Sequence, residues 1–389
     1  MGARGRQDGG GDAIGRHVTR VLFVGYMGRG QTSGMRCAAL QRLGYDVASV
    51  DAGTLWQGAG YLERQLESRL NHSARVQRLN DSVIAAAVEH TPRVVWAEKQ
   101  EYLYPETLSR LKELGALTIH YNPDPYFSLN WKRTPLADAC LRIYDVMVVT
   151  KRYELDLYRE HASGLIIYSP LGYDPVGHAP PSSAERRDDQ KVVFVGGWEP
   201  RRERLLETAR TATASVAVWG YGWRIAQRSR LDPLRAMRLG RLDPEHRFYL
   251  GKPREALRTA IRDGEGKSGE IFEERYSAVI AGSAIALGFV REVCPDQHTT
   301  RTFEIPAIGG FMLADRTDEH LEFFEEGKEA EFFGSDDEYE EKIQYYLHHE
   351  DARARIASAG RRRCLTSGYA YDDRIRAVMS ALALRSSDS

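Results

Sequence analysis

The chain has 389 residues, of which 42% are hydrophobic and 28% charged, and its formal net charge is −1. This length predicts more than one domain, and the hydrophobic content excludes a chain that is disordered throughout. A net charge near zero gives no electrostatic reason to expect nucleic acid or an anionic membrane as the main partner.

The start of the chain and its cysteines bear on where the protein works. Residues 1–18 are rich in Gly, Arg and Asp without an apolar run, so we interpret them as a flexible leader and not a signal peptide. No apolar run approaches the roughly 18–20 residues that span a bilayer. The 4 cysteines form no CxxC pair, which predicts neither zinc nor disulfides. We therefore expect a soluble cytoplasmic protein without a membrane span.

Residues 19–172 alternate between predicted strands and helices, which indicates a doubly wound parallel sheet. Continuous apolar runs are typical of strands that are buried on both faces. The predicted strands are 20–25, 46–50, 93–97, 117–120 and 146–149. The predicted helices are 35–43, 83–89 and 105–114. We interpret this region as an N-terminal Rossmann-like domain.

A change in composition at residues 173–190, which contain prolines, serines and mixed charges, predicts a linker. The strand, glycine turn and helix pattern then restarts at residue 191, so 191–371 are predicted to form a second Rossmann-like domain. Residues 224–270 are rich in arginine and interrupted by prolines, which predicts an insertion in that domain. Such an insertion can cover a donor or contact an acceptor, but we favour a solvated surface excursion. A crossover helix and tail are predicted at 372–389.

The turn after the first strand, GYMGRG at 25–30, is rich in glycine. Its GxxGxG spacing departs from the GxGxxG dinucleotide fingerprint, although Asp51 follows the second strand where a ribose-binding acid would lie. A dehydrogenase and a purely structural turn therefore both stay open. We favour a third interpretation, in which Gly28, Arg29 and Gly30 face an interdomain cleft and their amides meet substrate.

Polar side chains follow two strands of the first domain. Glu98 follows one strand, and His120, Asn122 and Asp124 follow the next. Ligands of open α/β sheets bind beyond the carboxyl ends of the strands, where a carboxylate or imidazole can take a proton from a hydroxyl. The Asn-Pro-Asp-Pro sequence is equally typical of a turn whose side chains cap backbone amides. Asp124 is the first candidate for the base, followed by His120 and Glu98, and Asn122 is a candidate cleft residue.

Two turns of the second domain have a composition that is typical of a binding site for a phosphate and a nucleobase. Amides at a helix start favour an anion, and arginine can fork onto phosphate oxygens. Aromatic side chains can stack on a base. Core packing alone accounts for Trp219, but less readily for the Gly-Tyr-Gly-Trp turn at 220–223. The candidate donor-binding residues of these turns are Gly196, Gly197, Trp198, Arg201, Arg204, Gly220, Tyr221 and Gly222.

The most informative stretch is 294–313, in which a polar run enters a short predicted helix and a Gly-Gly turn precedes an apolar strand. A helix start that faces the cleft suits a diphosphate, which Arg301 can neutralise. A carboxylate one turn later, Glu304, can accept hydrogen bonds from both hydroxyls of a ribose. The candidate donor-binding residues are His298, Thr299, Thr300, Arg301, Glu304, Gly309 and Gly310.

Further motifs follow this stretch in order, and they lie at 324–330, 345–347, 355–357 and 359–360. Together with residues 300–316 they resemble the CgeB-type, or spore-maturation-protein-like, glycosyltransferases of GT-B fold. The N-terminal half resembles that family more loosely, through its glycine turn and residues 122–125. The insertion at 224–270 has no counterpart that we can align.

The resemblance implies two Rossmann-like domains that face each other across a cleft, and a C-terminal helix that crosses back to the first domain. It implies that the C-terminal domain holds a nucleoside-diphosphate sugar, UDP- or GDP-linked, through Glu304 at the ribose and basic residues at the diphosphate. The N-terminal domain would hold the acceptor. Such enzymes usually need no metal, and no other cofactor is expected.

The expected reaction is the transfer of a sugar to the hydroxyl of an unknown acceptor, which is a glycan, a small molecule or a protein. Two alternatives share the predicted fold. One is a sugar-nucleotide epimerase, and the other is a coat or assembly protein that has lost turnover.

Overall fold

A computed structural model describes residues 19–58, 73–129, 133–182, 191–223, 260–261 and 269–386. The leader at 1–18, part of the linker (183–190) and nearly all of the predicted insertion (224–259 and 262–268) lie outside the described residues. The predictions made for those segments therefore stay predictions.

The N-terminal sheet is parallel, as its apolar strands predict, and its order is β2-β1-β3-β4-β5-β6. Its strands are β1 Arg20–Gly25, β2 Asp46–Asp51, β3 Val94–Glu98, β4 Leu117–Asn122, β5 Val146–Val149 and β6 Leu165–Tyr168. Its helices are α1 Thr32–Arg42, α2 Ala74–His90, α3 Pro105–Glu113, α4 Pro135–Leu141 and α5 Leu155–His161, with short 3-10 helices at Ala52–Trp56 and Arg152–Glu154. Both faces of this sheet are covered by buried apolar side chains.

The C-terminal sheet is also parallel, with the order β12-β11-β10-β7-β8-β9. Its strands are β7 Val192–Val195, β8 Val216–Trp219, β9 Ala260–Ile261, β10 Ile285–Gly288, β11 Met312–Asp315 and β12 Glu331–Phe333. The helices are α6 Pro200–Ala212, α7 Glu273–Gly282, α8 Arg301–Ile308, α9 Asp318–Phe323, α10 Asp336–His348, α11 Glu350–Thr366 and α12 Tyr371–Ser386. Two apolar clusters cover the two faces of this sheet.

The last helix, α12, crosses back to the first domain. Its residues Tyr371, Ile375 and Val378 are buried in the same cluster as Val21 and Leu40 of the N-terminal sheet and α1. The predicted fold, two Rossmann-like domains with a crossover helix, is therefore confirmed. The carboxyl ends of strands from both sheets border one cleft, which places the candidate site.

Candidate functional site

The cleft contains three adjoining cavities that share Thr300, the residue before α8. The C-terminal cavity, of about 290 Å³, lies between the Gly196 and Gly222 turns. The central cavity, of about 440 Å³, lies between Asp124 of the first domain and Asp296 of the second. The hinge cavity, of about 320 Å³, is bordered by the linker and by Glu304. Because the three cavities adjoin, they can form one continuous site that residues of both domains line.

The start of α8 presents a charged pair to this cleft. The Arg301 guanidinium donates to the Glu304 carboxylate and, at 2.8 Å, to the carbonyl oxygen of Val195. Arg301 also lies over the ring of Tyr276, whose hydroxyl donates to Glu304 at 3.0 Å. Burial by itself raises the pKa of Glu304, but Arg301, His178 and Tyr276 hold it below its ordinary value of 4.5. Glu304 is therefore an ionised acceptor at neutral pH.

The two glycine turns of the second domain are fastened to each other. Trp198 N donates to Tyr221 O at 2.8 Å, and the Trp223 indole donates to Gly196 O at 2.8 Å. Gly220 has a φ of 133° and passes so close to Gly196 that a Cβ would overlap its carbonyl. Tyr221 is 49% exposed and borders both the C-terminal and the hinge cavities. A rigid double turn therefore presents an aromatic ring to the cleft.

The arginines that the sequence singled out after the Gly-Gly turn are paired outside the three cavities. Arg201 binds Asp315 at 2.5 Å, and Arg204 binds Asp336 at 3.3 Å. Arg202, which is not among the residues predicted from the sequence, borders the C-terminal cavity and donates to Gly197 O at 2.9 Å. Helix phase explains the difference, because consecutive positions of α6 point in different directions.

Other candidate donor residues have structural contacts. The buried His298 ring pairs with Glu319, and its Nε2 accepts from Leu171 N at 3.1 Å. Burial lowers the pKa of His298, although Glu319 acts in the opposite direction. Gly309 (φ 90°) ends α8, and a Cβ on Gly310 would lie 2.7 Å from Ile280. Thr299, like Thr300, borders both the C-terminal and the central cavities.

On the N-terminal side, Asp124 borders the central cavity and forms a 2.5 Å ion pair with Lys99. Glu98 also borders it, but its buried carboxylate accepts from Arg36 at 2.5 and 2.9 Å. Asn122 donates to the Tyr158 hydroxyl at 2.9 Å and accepts from Asp124 N at 3.3 Å, so it shapes the turn.

His120, in contrast, is buried on β4 beside the ring of Tyr144, with centroids 4.9 Å apart. It borders none of the three cavities of the cleft. Burial lowers its pKa to about 4.

The glycine turn of the first domain reaches the second domain. Arg29 pairs with Glu273 at 3.0 Å, and a Cβ on Gly30, which has a φ of 74°, would overlap the Phe272 ring. Asp51 accepts from Met27 N at 3.0 Å and from Gly53 N at 2.8 Å, so it fastens the turn. These contacts explain the conformation of the glycine turn, so a bound dinucleotide is not needed to account for it.

Several partners in the cleft carried no recognisable signal in the sequence. Tyr276 and His178 contact Glu304, and Lys151 of the first domain pairs with Asp296 of the second at 2.8 Å. Within the described parts of the chain, no group of three His, Cys, Asp or Glu side chains could hold a metal ion. No helix in those parts is long and apolar enough to cross a membrane.

Comparison with known proteins agrees with this architecture. Residues 201–380 match the profile of a family described as glycosyl transferase-like, whereas no curated protein matches significantly. Sucrose-phosphate synthase from Thermosynechococcus elongatus superposes with a TM-score of 0.61 at 14% identity, over 95% of this chain and 100% of that one.

Two further solved structures have the same fold. Anabaena HepE, solved with UDP and glucose, gives a TM-score of 0.58 at 12% identity and covers 94% of this chain and 99% of its own. A solved structure of trehalose-6-phosphate synthase gives a TM-score of 0.54 at 12% identity and covers 94% of this chain and 99% of its own. The chain therefore has the fold of GT-B glycosyltransferases and carries a glycosyltransferase-like domain, which confirms the predicted fold and the predicted class of enzyme.

Proposed function

We propose that the protein transfers a sugar from a nucleoside diphosphate to an acceptor hydroxyl without a metal ion, as a glycosyltransferase of CgeB type. The observation that carries the proposal is the start of α8, where Thr300, Arg301 and Glu304 border a cleft that both domains line. A helix start and a guanidinium suit a diphosphate, and an ionised carboxylate suits the ribose hydroxyls. UDP-glucose is the first donor to test, because HepE has been solved with it.

In the proposed complex, the diphosphate lies at the start of α8, near Arg301. The Tyr221 ring, which is half exposed on its rigid turn, stacks on the base. Thr299, Gly196 and Gly197 border the same space and complete the donor site. Arg202, which holds the Gly197 carbonyl, keeps this turn in place.

In the proposed reaction, the acceptor oxygen forms a bond to the anomeric carbon of the sugar. The bond from that carbon to the diphosphate breaks, and its electron pair stays on the diphosphate. Preorganised amides and Arg301 stabilise the growing negative charge, which is the kind of interaction that lowers such barriers most. This charge stabilisation needs no metal ion.

The acceptor hydroxyl must give up its proton, and a base of the first domain takes it if the configuration at the anomeric carbon inverts. Asp124 is the best placed of the three candidates, because it borders the central cavity and its side chain is 27% exposed. Glu98 is held by Arg36, and His120 lies within the sheet, so both are less suited to reach an acceptor. If the configuration is retained, an oxygen of the departing diphosphate takes the acceptor proton, and Asp124 positions the acceptor.

Replacement of Glu304 by alanine tests the donor site. We expect UDP binding, measured by titration calorimetry, to be abolished, since the carboxylate is the proposed ribose ligand. Glu331→Gln is the matched control, because Glu331 is a buried carboxylate bound to Lys342 and Tyr346, outside the three cavities. Unchanged UDP affinity in folded Glu304→Ala would overturn the assignment.

A further inference from the structure

A histidine of the linker contacts the carboxylate at the centre of the proposed donor site. His178 lies in the turn that follows Asp174, is 4% exposed and borders the hinge cavity. Its Nδ1 accepts from the backbone N–H of Asp174 at 2.9 Å, so the ring proton is on Nε2. That nitrogen lies 3.6 Å from Oε1 of Glu304, which is a polar contact slightly longer than a hydrogen bond.

The two oxygens of Glu304 have different surroundings. Oε2 accepts from both Arg301 and the Tyr276 hydroxyl. Oε1 has no hydrogen bond to any residue that the structure describes, and Nε2 of His178 lies 3.6 Å from it. The oxygen that remains available to a ligand is therefore the one that His178 faces.

The turn that carries His178 is held by ion pairs that join the linker, α1 and the crossover helix. Asp174 accepts from Gly177 N at 2.7 Å within the turn, and from Arg42 of α1 at 2.5 Å. Arg42 in turn binds Asp372 of the crossover helix at 2.7 Å. The turn that carries His178 is thus fixed to α1 on one side and reaches Glu304 on the other.

We propose that His178 is a positioning residue of the donor site, which orients Oε1 of Glu304 toward the ribose hydroxyls and ties that carboxylate to the linker. The inference rests on the proposed function, because it assumes that Glu304 binds a ribose. A role in packing alone would affect every nucleotide equally, whereas a role through Glu304 affects only nucleotides that have ribose hydroxyls.

The experiment compares the affinities of UDP and 2′,3′-dideoxyuridine diphosphate, measured by calorimetry. His178→Phe keeps a ring beside Tyr276 but removes both ring nitrogens, including the Nε2 donor, and we expect it to weaken UDP binding about tenfold, or about 1.4 kcal/mol. The dideoxy analogue should change less than twofold. His178→Gln, whose amide can restore a donor at the Nε2 position, should bind UDP within about threefold of wild type.

Turnover and a neighbouring substitution complete the test. The donor KM should rise in His178→Phe while kcat changes less, since Glu304 holds the donor and not the reacting carbon. The control is Ser277→Ala, which removes the 3.3 Å hydrogen bond from Ser277 to Gly177 O in the same turn. This variant should bind both nucleotides as wild type does.

Three results would overturn the inference. The first is equal weakening of both nucleotides in His178→Phe. The second is that His178→Phe binds UDP within twofold of wild type although Glu304→Ala abolishes UDP binding. The third is loss of UDP affinity in folded His178→Gln equal to that in His178→Phe. Unchanged UDP affinity in Glu304→Ala would instead refute the proposed donor site itself.

Discussion

Replacement of His120 by leucine should make the protein more resistant to acid. His120 is buried, and neither ring nitrogen has a hydrogen-bond partner among the residues that the structure describes. Burial lowers its pKa from 6.5 to about 4, so the folded protein binds the proton less readily than the unfolded chain. Above pH 6.5 this difference has no effect. As the pH falls from 6.5 toward 4, the unfolded chain gains the proton first and stability is lost.

The size of the effect follows from the two pKa values. At pH 5 the single histidine costs about 2 kcal/mol of folding free energy, and the limit below pH 4 is about 3 kcal/mol. His120→Leu removes this pH-dependent cost. Between pH 7.5 and pH 5 the variant should therefore lose about 2 kcal/mol less folding stability than wild type does. Urea unfolding at the two pH values measures the difference.

A second substitution and a second readout sharpen the test. His348→Leu removes an exposed histidine and is the control for the loss of a histidine as such. His120→Leu should also keep turnover, because His120 borders none of the three cavities. Equal acid sensitivity of His120→Leu and wild type would refute the reasoning about burial. Loss of turnover in the folded variant would show that His120 reaches the acceptor.

Three further predictions concern the cleft. Tyr221→Ala should weaken UDP by about 0.5–1.5 kcal/mol in calorimetry through lost stacking, whereas Tyr221→Phe should not; equal affinities in both would contradict a stacking role. Lys151→Met should lower the free energy of unfolding, measured in urea, by about 3–5 kcal/mol, because it leaves Asp296 buried without its cation. The double variant Lys151→Met with Asp296→Leu should recover part of the lost stability. Unchanged stability in Lys151→Met would contradict the role of this ion pair. Dialysis against EDTA should leave turnover unchanged, and a loss that Mg²⁺ or Mn²⁺ restores would contradict the metal-independent mechanism.

The sequence predicts the sheets well, because a strand buried on both faces must be continuously apolar. The runs at 20–25 and 146–149 are strands for that reason. The short strand Leu165–Tyr168 was not predicted, because an apolar run of four residues does not distinguish a strand from a segment of a buried helix.

The site was less predictable, because it depends on which side chains meet across the cleft. The start of α8 could be found from the sequence, since a polar run that enters a helix ahead of a carboxylate is unusual in a purely structural helix. The contact between Glu304 and His178 could not be found, because a linker composition gives no sign that one of its residues is buried. The sequence also could not show that Arg202, and not Arg201, borders the C-terminal cavity, because this depends on which face of α6 is turned toward the cleft.

The central claim is that the start of α8 holds a nucleotide sugar whose sugar is transferred. The most direct measurement is incubation of the purified protein with radiolabelled UDP- and GDP-sugars, with both the released nucleoside diphosphate and the fate of the sugar followed. We expect the diphosphate to be released, with the sugar transferred or hydrolysed, by wild type and not by Glu304→Ala. An isomerised sugar that stays attached to its nucleotide would indicate an epimerase instead. No binding of any of these nucleotides would contradict the account and favour an assembly protein of the same fold.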